Sequence, residues 1–518
     1  MLQTGFRIQP NWDKALSENE KYIWFHQYDT VSTKYHKLEN RGFSLVPDNQ
    51  DVFCDLVTPK LLKLSSENPV INKFFQCPDS SFDVLSGISR NAGHNSGTCN
   101  HQPRPHTFSF DVSASGEHFI ASFTGSSVNL YETITGNIRR SLEGHVGDVY
   151  TCKFFPSGLV ALTAGSDMQL KIWCLITGRC AASLGLNCTN SNNKNEPGGH
   201  RTGILDTAII DRGRNIASID RLGWLRLWDV ATQTCISAIP VTLSAIKPRT
   251  VSLTVLEETT CLAIRKHPSL PIQTADLINP DSCQFPAVYK NTSEFSCIVY
   301  LLLYYLTVQE TSSTTAQEVA TSDALIAVGT GTNASVRLYE LGARQKGCVA
   351  QCTLPSASGS VEACAFPEDI PIPFSKEIQF IDVPRSCVSS FMDYGIFAGG
   401  QQGELASWDI RQTNNRYGNE KGTVQQIRVC RRPNCQYLLL VVSRNDGRTL
   451  VYPYDPATAH SDAQIPTSLE LTGVNCEPIC GLSMVYKPSG EIGVWNAARG
   501  GTVNHYTKLL DEITFKNL

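Results

Sequence analysis

Four residues in one stretch carry groups that could do chemistry together: His145, Thr163, Asp167 and Trp173. A histidine that takes a hydroxyl proton, with a carboxylate to orient its ring, is the arrangement of an activated nucleophile. The same four types can also satisfy one another as a buried network. The indole N–H donates to the hydroxyl, the hydroxyl to one imidazole nitrogen, and the other imidazole N–H to the carboxylate. Recurrence decides between these readings. His200, Ser218 and Trp228 repeat the spacing of His145, Thr163 and Trp173, with 28 residues from histidine to tryptophan in both. A catalytic site appears once in a chain, whereas scaffold chemistry repeats and decays. The carboxylate position of the second copy is read as Leu222, so that network is expected to be incomplete and weaker.

The elements that hold these residues follow from the same spacing. Glu143-Gly144-His145 leads to Lys171-Ile172-Trp173, and Gly199-His200 leads to Leu227-Trp228-Asp229. A Gly-His opening with an apolar-x-apolar-Trp-Asp close is the signature of WD repeats, four strands per propeller blade. Third strands that end in Trp or Tyr are read at 128–131, 170–173, 225–228, 336–339, 405–408, 449–452 and 503–506. Each alternates apolar or aromatic residues with others, the period of a strand with two distinct faces. The expected fold is therefore all-β, a seven-bladed WD-repeat propeller over 104–518 with a small N-terminal extension or cap over 1–103. Long inserts are expected at 185–199, 240–322 and 367–385, where Asn-, Gly- and Pro-rich sequence breaks regular structure. Within the extension, 12–24 reads as a short amphipathic helix and the rest as loop, with one strand available to close the ring.

Composition narrows the function. Hydrophobic content of 41% and charged content of 18% suit a folded chain. A net charge of -4 provides no broad basic footprint, so no nucleic acid is expected. The 19 cysteines include no CxxC pair, and 476/480 and 430/435 lack partner pairs at zinc spacing. They read as free thiols in a reducing compartment, where the triplets at Asn187, Asn291 and Asn333 stay unglycosylated. The N-terminus lacks the basic start and apolar core of a signal peptide. The apolar run at 297–308 is 12 residues long, short of the roughly 20 that span a bilayer; no membrane segment is expected. Gly329-Thr330-Gly331 precedes a strand and not a helix, so it reads as a turn and not a phosphate loop. No GxSxG, Walker loop or HExxH occurs. The chain is expected not to be an enzyme and to need no cofactor. Arg431-Arg432 and Asp211-Arg212-Gly213-Arg214 read as solvated turns.

Several blocks are more specific than propeller sequence in general. Phe6-Arg7-Ile8-Gln9 with Trp12, Ala15-Leu16 and Trp24 opens the chain. Arg139 to His145, Phe154 to Val160, and GILDTAIIDRGRN at 203–215 follow, and Glu470-Leu471-Thr472-Gly473 with Cys476-Glu477-Pro478 stands near the end. In these blocks the chain resembles the proteasomal ATPase-associated factor family. It departs from the pattern at Leu222, in place of the usual Asp, and at Trp224, in place of a small residue. The resemblance implies a non-enzymatic chaperone of the proteasome regulatory particle, a monomer in the cytoplasm and nucleus. It would bind the C-terminal domain of an ATPase subunit of the base. A substrate receptor or scaffold in another complex, such as a ubiquitin ligase, is the competing role. In propellers the turns between second and third strands and the starts of inner strands converge on one face. Asp148, Tyr150, Asp206, Asp220 and Trp224 are placed there as acidic and aromatic candidates for a basic helical partner.

Overall fold

The structure, a computed structural model, describes residues 5–17, 22–28, 33–39, 52–67, 70–85, 105–185, 198–210, 213–241, 258–266, 324–331, 333–340, 348–355, 359–367, 395–410, 415–419, 422–431, 438–454, 469–486 and 492–507. Most of the expected inserts, the apolar run at 297–308, and Asp211, Arg212 and Arg432 lie outside them.

The described chain is an all-β propeller. Consecutive antiparallel hairpins build four-stranded sheets, each running outward from an inner strand. The first begins at Thr107–Val112, the second at Val149–Phe154, the third at Ile204–Ile210, the fourth at Thr259–Lys266 and the fifth at Val361–Ala365. A seven-stranded sheet begins at Val424–Arg431 and a last four-stranded sheet at Ile479–Tyr486. Each of these inner strands packs on the next, and Ile479–Tyr486 returns to Thr107–Val112, so the sheets form a closed ring. All the stretches read as third strands lie inside strands, from Val128–Glu132 to Thr502–Tyr506.

The sheets are held face to face by side chains that alternate along their strands. Between the second and third sheets, Leu162, Leu170, Ile172, Leu184, Ile216 and Trp228 form one buried cluster. Tyr131 stacks on Phe119 in the first sheet with ring centroids 4.8 Å apart. Apolar burial of this kind, at about 25 cal/mol per Å2, is the main term favouring the ring.

The N-terminal segment departs from the loop-like reading. The helix is only Trp12–Ser17, and Trp24 falls in the strand Tyr22–Tyr28. That strand sits in a three-stranded sheet with Gly5–Ile8 and Thr33–Glu39. Further on, Val52–Thr58, Leu61–Glu67 and Val70–Gln76 form a meander whose last strand runs parallel to Leu469–Leu471. Ser80–Asp83 then pairs antiparallel with Thr502–Tyr506 as the outer strand of the last sheet. The N-terminal segment thus enters two neighbouring sheets, and both junctions are tied by side chains. Lys73 Nζ lies 2.6 Å from Glu470 Oε2, and Gln76 Nε2 donates to the Thr507 carbonyl at 2.9 Å. Thr507 donates its amide and hydroxyl to Asp79 Oδ2 at 2.6 and 2.5 Å. Burial would raise the Asp79 pKa, but those bonds and nearby Lys60 hold it below the ordinary carboxylate value. No helix among the described residues is long and apolar enough to cross a membrane.

Candidate functional site

His145 stands in the connection into the second sheet, Thr163 on its second strand and Trp173 on its third. Strand pairing puts Ala161 opposite Trp173 and Thr163 opposite Lys171, so Thr163 and Trp173 face the same side. Trp173 Nε1 donates to Thr163 Oγ1 at 2.7 Å, and that oxygen lies 2.7 Å from His145 Nε2. His145 Nδ1 lies 2.8 Å from Asp167 Oδ2. An ionised carboxylate only accepts, so the ring proton sits on Nδ1 toward Asp167; Nε2 then accepts the hydroxyl proton of Thr163, whose oxygen accepts the indole N–H. Thr163 is 0% exposed, and its hydroxyl is closed to any substrate. Burial works to raise the Asp167 pKa; the bond from His145 and the amides of Val146 and Gln169 outweigh it and keep the carboxyl below its usual value.

The second copy corrects the sequence reading. Its carboxylate is not missing: Asp220 Oδ2 lies 2.8 Å from His200 Nδ1, Ser218 Oγ lies 2.6 Å from Nε2, and Trp228 Nε1 donates to Ser218 at 2.8 Å. Leu222 is exposed. The carboxylate has moved from the turn to the end of the second strand. Register places Asp220 opposite Ile204, as Gly165 stands opposite Val149 in the second sheet. A Cβ at Gly165 would come within 2.1 Å of the Asp148 carbonyl oxygen. The second sheet therefore carries its acid two residues later, in the turn.

The same fact removes Asp220 from the surface where the sequence reading placed it. It is 0% exposed, and its Oδ1 accepts the amides of Leu222 and Trp224 at 3.1 and 3.0 Å. Burial pushes the His200 pKa below its ordinary value; Asp220 opposes that shift and Arg226 adds to it. The sign of the pH effect follows. A histidine whose folded pKa is depressed contributes fully above its unfolded value of about 6.5, and that contribution is lost as pH falls toward the folded value. Denaturant titrations of the wild type should lose stability from pH 6.5 to 5, and this part of the slope should vanish in His200→Gln. An identical slope in both proteins would remove His200 as its source.

The other expected surface residues separate. Asp148 is half-buried and accepts the Gly125 amide at 2.9 Å. Tyr150 is half-buried, its ring edge-on to Phe108 with centroids 5.4 Å apart. Trp224 is half-buried beneath the Arg226 guanidinium, 5.7 Å from its ring centroid. Asp206 does not point freely to solvent. It takes Lys153 Nζ at 2.8 Å from the second sheet and the Leu262 amide at 3.0 Å from the fourth.

Asp206 belongs to a set the sequence reading missed. In several inner strands a bulge falls just before a polar residue: Thr107/Ser109, Ile204/Asp206 and Val424/Gln426. The side chain after the bulge accepts an amide from the next inner strand: Cys152 to Ser109 at 3.1 Å, Leu262 to Asp206 at 3.0 Å, Leu482 to Gln426 at 2.9 Å. Inner-strand amides that no hairpin partner reaches are satisfied this way, and neighbouring sheets are pinned in register. The available signal was a polar residue two places into an otherwise apolar strand, as in ILDTAII and VQQIRV.

Comparison with known proteins agrees with this geometry. The family model "WD domain, G-beta repeat" matches residues 136–174, the stretch that holds the first network. Residues 136–174 are thus a WD repeat. It is 34% identical over 164 residues to "Proteasomal ATPase-associated factor 1" of Gallus gallus, covering 30% of this chain and 38% of that protein. It is 38% identical over 166 residues to "Probable proteasomal ATPase-associated factor 1" of Dictyostelium discoideum, covering 30% and 34%. Over 97 residues it is 35% identical to "26S proteasome regulatory subunit RPN14" of Saccharomyces cerevisiae, covering 18% and 20%. The chain thus spans well under half of these curated relatives.

Proposed function

We propose that the protein is a non-enzymatic assembly chaperone of the proteasome regulatory particle, binding the C-terminal domain of an ATPase subunit of the base. The observation that carries this reading is the likeness to several proteins named proteasomal ATPase-associated factor. The burial of both histidine networks supports it, since His145, Thr163, His200 and Ser218 tie strands together in the interior. In this reading the ring has seven blades. The strands Val424–Arg431 to Leu469–Leu471 count as one blade, extended by the N-terminal meander. Residues 104–518 carry the inner strands of every blade and residues 1–103 are the extension, whose Ser80–Asp83 completes the last blade, working as a single copy in cytoplasm and nucleus.

The surface that suits the partner is the end of the second and third sheets. Asp148 stands just before the inner strand of the second sheet, and Val146 at 83% exposed, Met168 at 39% and Leu222 at 48% stand in turns of the same two sheets. A carboxylate on a face with exposed apolar side chains fits a helix with basic residues flanking an apolar face. A charge test of this surface leaves Asp206 and Asp220 in place, because both hold the fold. Asp148→Lys with Val146→Ser should weaken salt-sensitive binding at least 10-fold while the protein keeps a cooperative thermal transition, lowered only by the lost bond to the Gly125 amide. Unchanged affinity would move the interface elsewhere. Pull-downs against the C-terminal domain of each base ATPase test the function itself. Retention of a ubiquitin-ligase adaptor and none of the ATPase domains would favour the scaffold role and end the chaperone reading.

A further inference from the structure

Two cysteines 103 residues apart in sequence meet in the interior with their sulfurs 3.6 Å apart. Cys261 is on Thr259–Lys266, the inner strand of the fourth sheet, and Cys364 is on Val361–Ala365, the inner strand of the fifth. Each is 8% exposed. The contact has room built around it. Gly329 stands beside Cys261, where a Cβ would come within 2.4 Å of the Cys261 sulfur and 3.1 Å of a Val361 methyl. A larger residue at 329 would push on the Cys261 sulfur and the Val361 methyl, the side chains that frame the thiol pair. The Cys261 S–H donates to the Cys364 sulfur, and the Cys364 S–H donates to the Ala327 carbonyl at 3.8 Å.

We propose that Cys261 and Cys364 form a peroxide-driven, reversible disulfide that joins the inner strands of two neighbouring sheets. A covalent S–S distance is about 2.05 Å, so roughly 1.5 Å of sulfur movement closes the gap, within reach of side-chain rotation. The chemistry balances with hydrogen peroxide as oxidant. The Cys261 thiolate attacks one peroxide oxygen, breaking the O–O bond, and forms a sulfenic acid with release of water. The Cys364 sulfur then attacks the sulfenic sulfur, and the S–OH oxygen departs as a second water. Two thiols and one peroxide become one disulfide and two waters, and a dithiol reductant reverses the exchange. The bond with Cys261, and then burial, push the Cys364 thiol well above its ordinary pKa. The pair therefore reacts slowly and is a record of sustained oxidation, not a fast sensor. The crosslink would close a loop of more than 100 residues, and long loops constrain the unfolded chain most.

The test treats the full-length protein with hydrogen peroxide, blocks free thiols and maps peptides by mass without reduction. A peptide joining Cys261 to Cys364 is expected, lost on dithiothreitol treatment. The oxidised protein should melt roughly 3 to 8 °C higher, with no shift in Cys364→Ala. Thiol counting on the wild type serves as an independent readout, since it needs no variant to fold. The proposal is overturned if Cys261 and Cys364 remain alkylatable after denaturation while exposed Cys180, Cys348 and Cys476 have oxidised. It is equally overturned if either residue links only to another cysteine.

Discussion

Replacing Asp220 by Ala should lower the unfolding free energy by about 2–4 kcal/mol, whereas Leu222→Ala should stay within about 0.5 kcal/mol. The asymmetry follows from placement. Asp220 accepts from His200 and two backbone amides in the interior, so its loss leaves three donors unpaired. Leu222 projects into solvent at 48% exposure. Introducing Leu222→Asp into the Asp220→Ala protein should restore only part of that loss: position 222 stands as far along from His200 as Asp167 does from His145, but a side chain from that exposed turn does not replace the buried bond that Asp220 takes from the Leu222 amide. Urea titration of the four proteins decides it. Full recovery in the double variant would mean that the carboxylate of the third sheet can act from the turn, as Asp167 does in the second. Asp220→Asn should fall between, since an amide oxygen still accepts from His200 but without charge.

Removing residues 1–85 should cost the chain its soluble fold. The truncation strips Ser80–Asp83 from the last sheet and Val70–Gln76 from Leu469–Leu471, leaving two bare strand edges side by side. Unpaired edges template aggregation. Phe75, 0% exposed, and Leu64, also 0%, leave with it. A milder form keeps the strands: Phe75→Ala should cost about 3–5 kcal/mol through loss of burial and the cavity left behind. Size-exclusion chromatography of the truncated chain is the direct measurement. A monodisperse monomer with an unchanged melting transition would show that the ring closes without its N-terminal strands.

The parts legible in the sequence were those with local signatures. Strands ending in Trp or Tyr announce themselves because one aromatic must reach the neighbouring sheet, and the spacing from His145 to Trp173 repeats from His200 to Trp228. The N-terminal strands were missed for the opposite reason. Leu62 and Leu64 alternate with half-buried Lys63, but their meander joins the ring only through Val70–Gln76, whose partner Leu469–Leu471 lies some 400 positions away, beyond any local pattern. The acid of the third network was missed because a fixed offset was counted. The structure conserves a position around the imidazole, not a distance along the chain. Asp206 looked like a surface acid since nothing near it in sequence reveals Lys153 or the Leu262 amide. The cysteine pair was invisible for the same reason, with 103 residues between its members.

The tie between Gln76 and Thr507 spans 431 residues, and that separation has a consequence for how the protein is made. A ribosome adding about 5–20 residues per second needs roughly 20–90 s to travel it. Through that interval the meander has no Leu469–Leu471 to lie beside and Ser80–Asp83 has no sheet to complete. Val70–Gln76 and Ser80–Asp83, made early, are among the last strands to find their neighbours. Each nascent chain therefore carries an unclaimed β-edge until synthesis ends, and cells under translational stress should accumulate this protein as chaperone-bound or degraded intermediates before its neighbours of simpler topology.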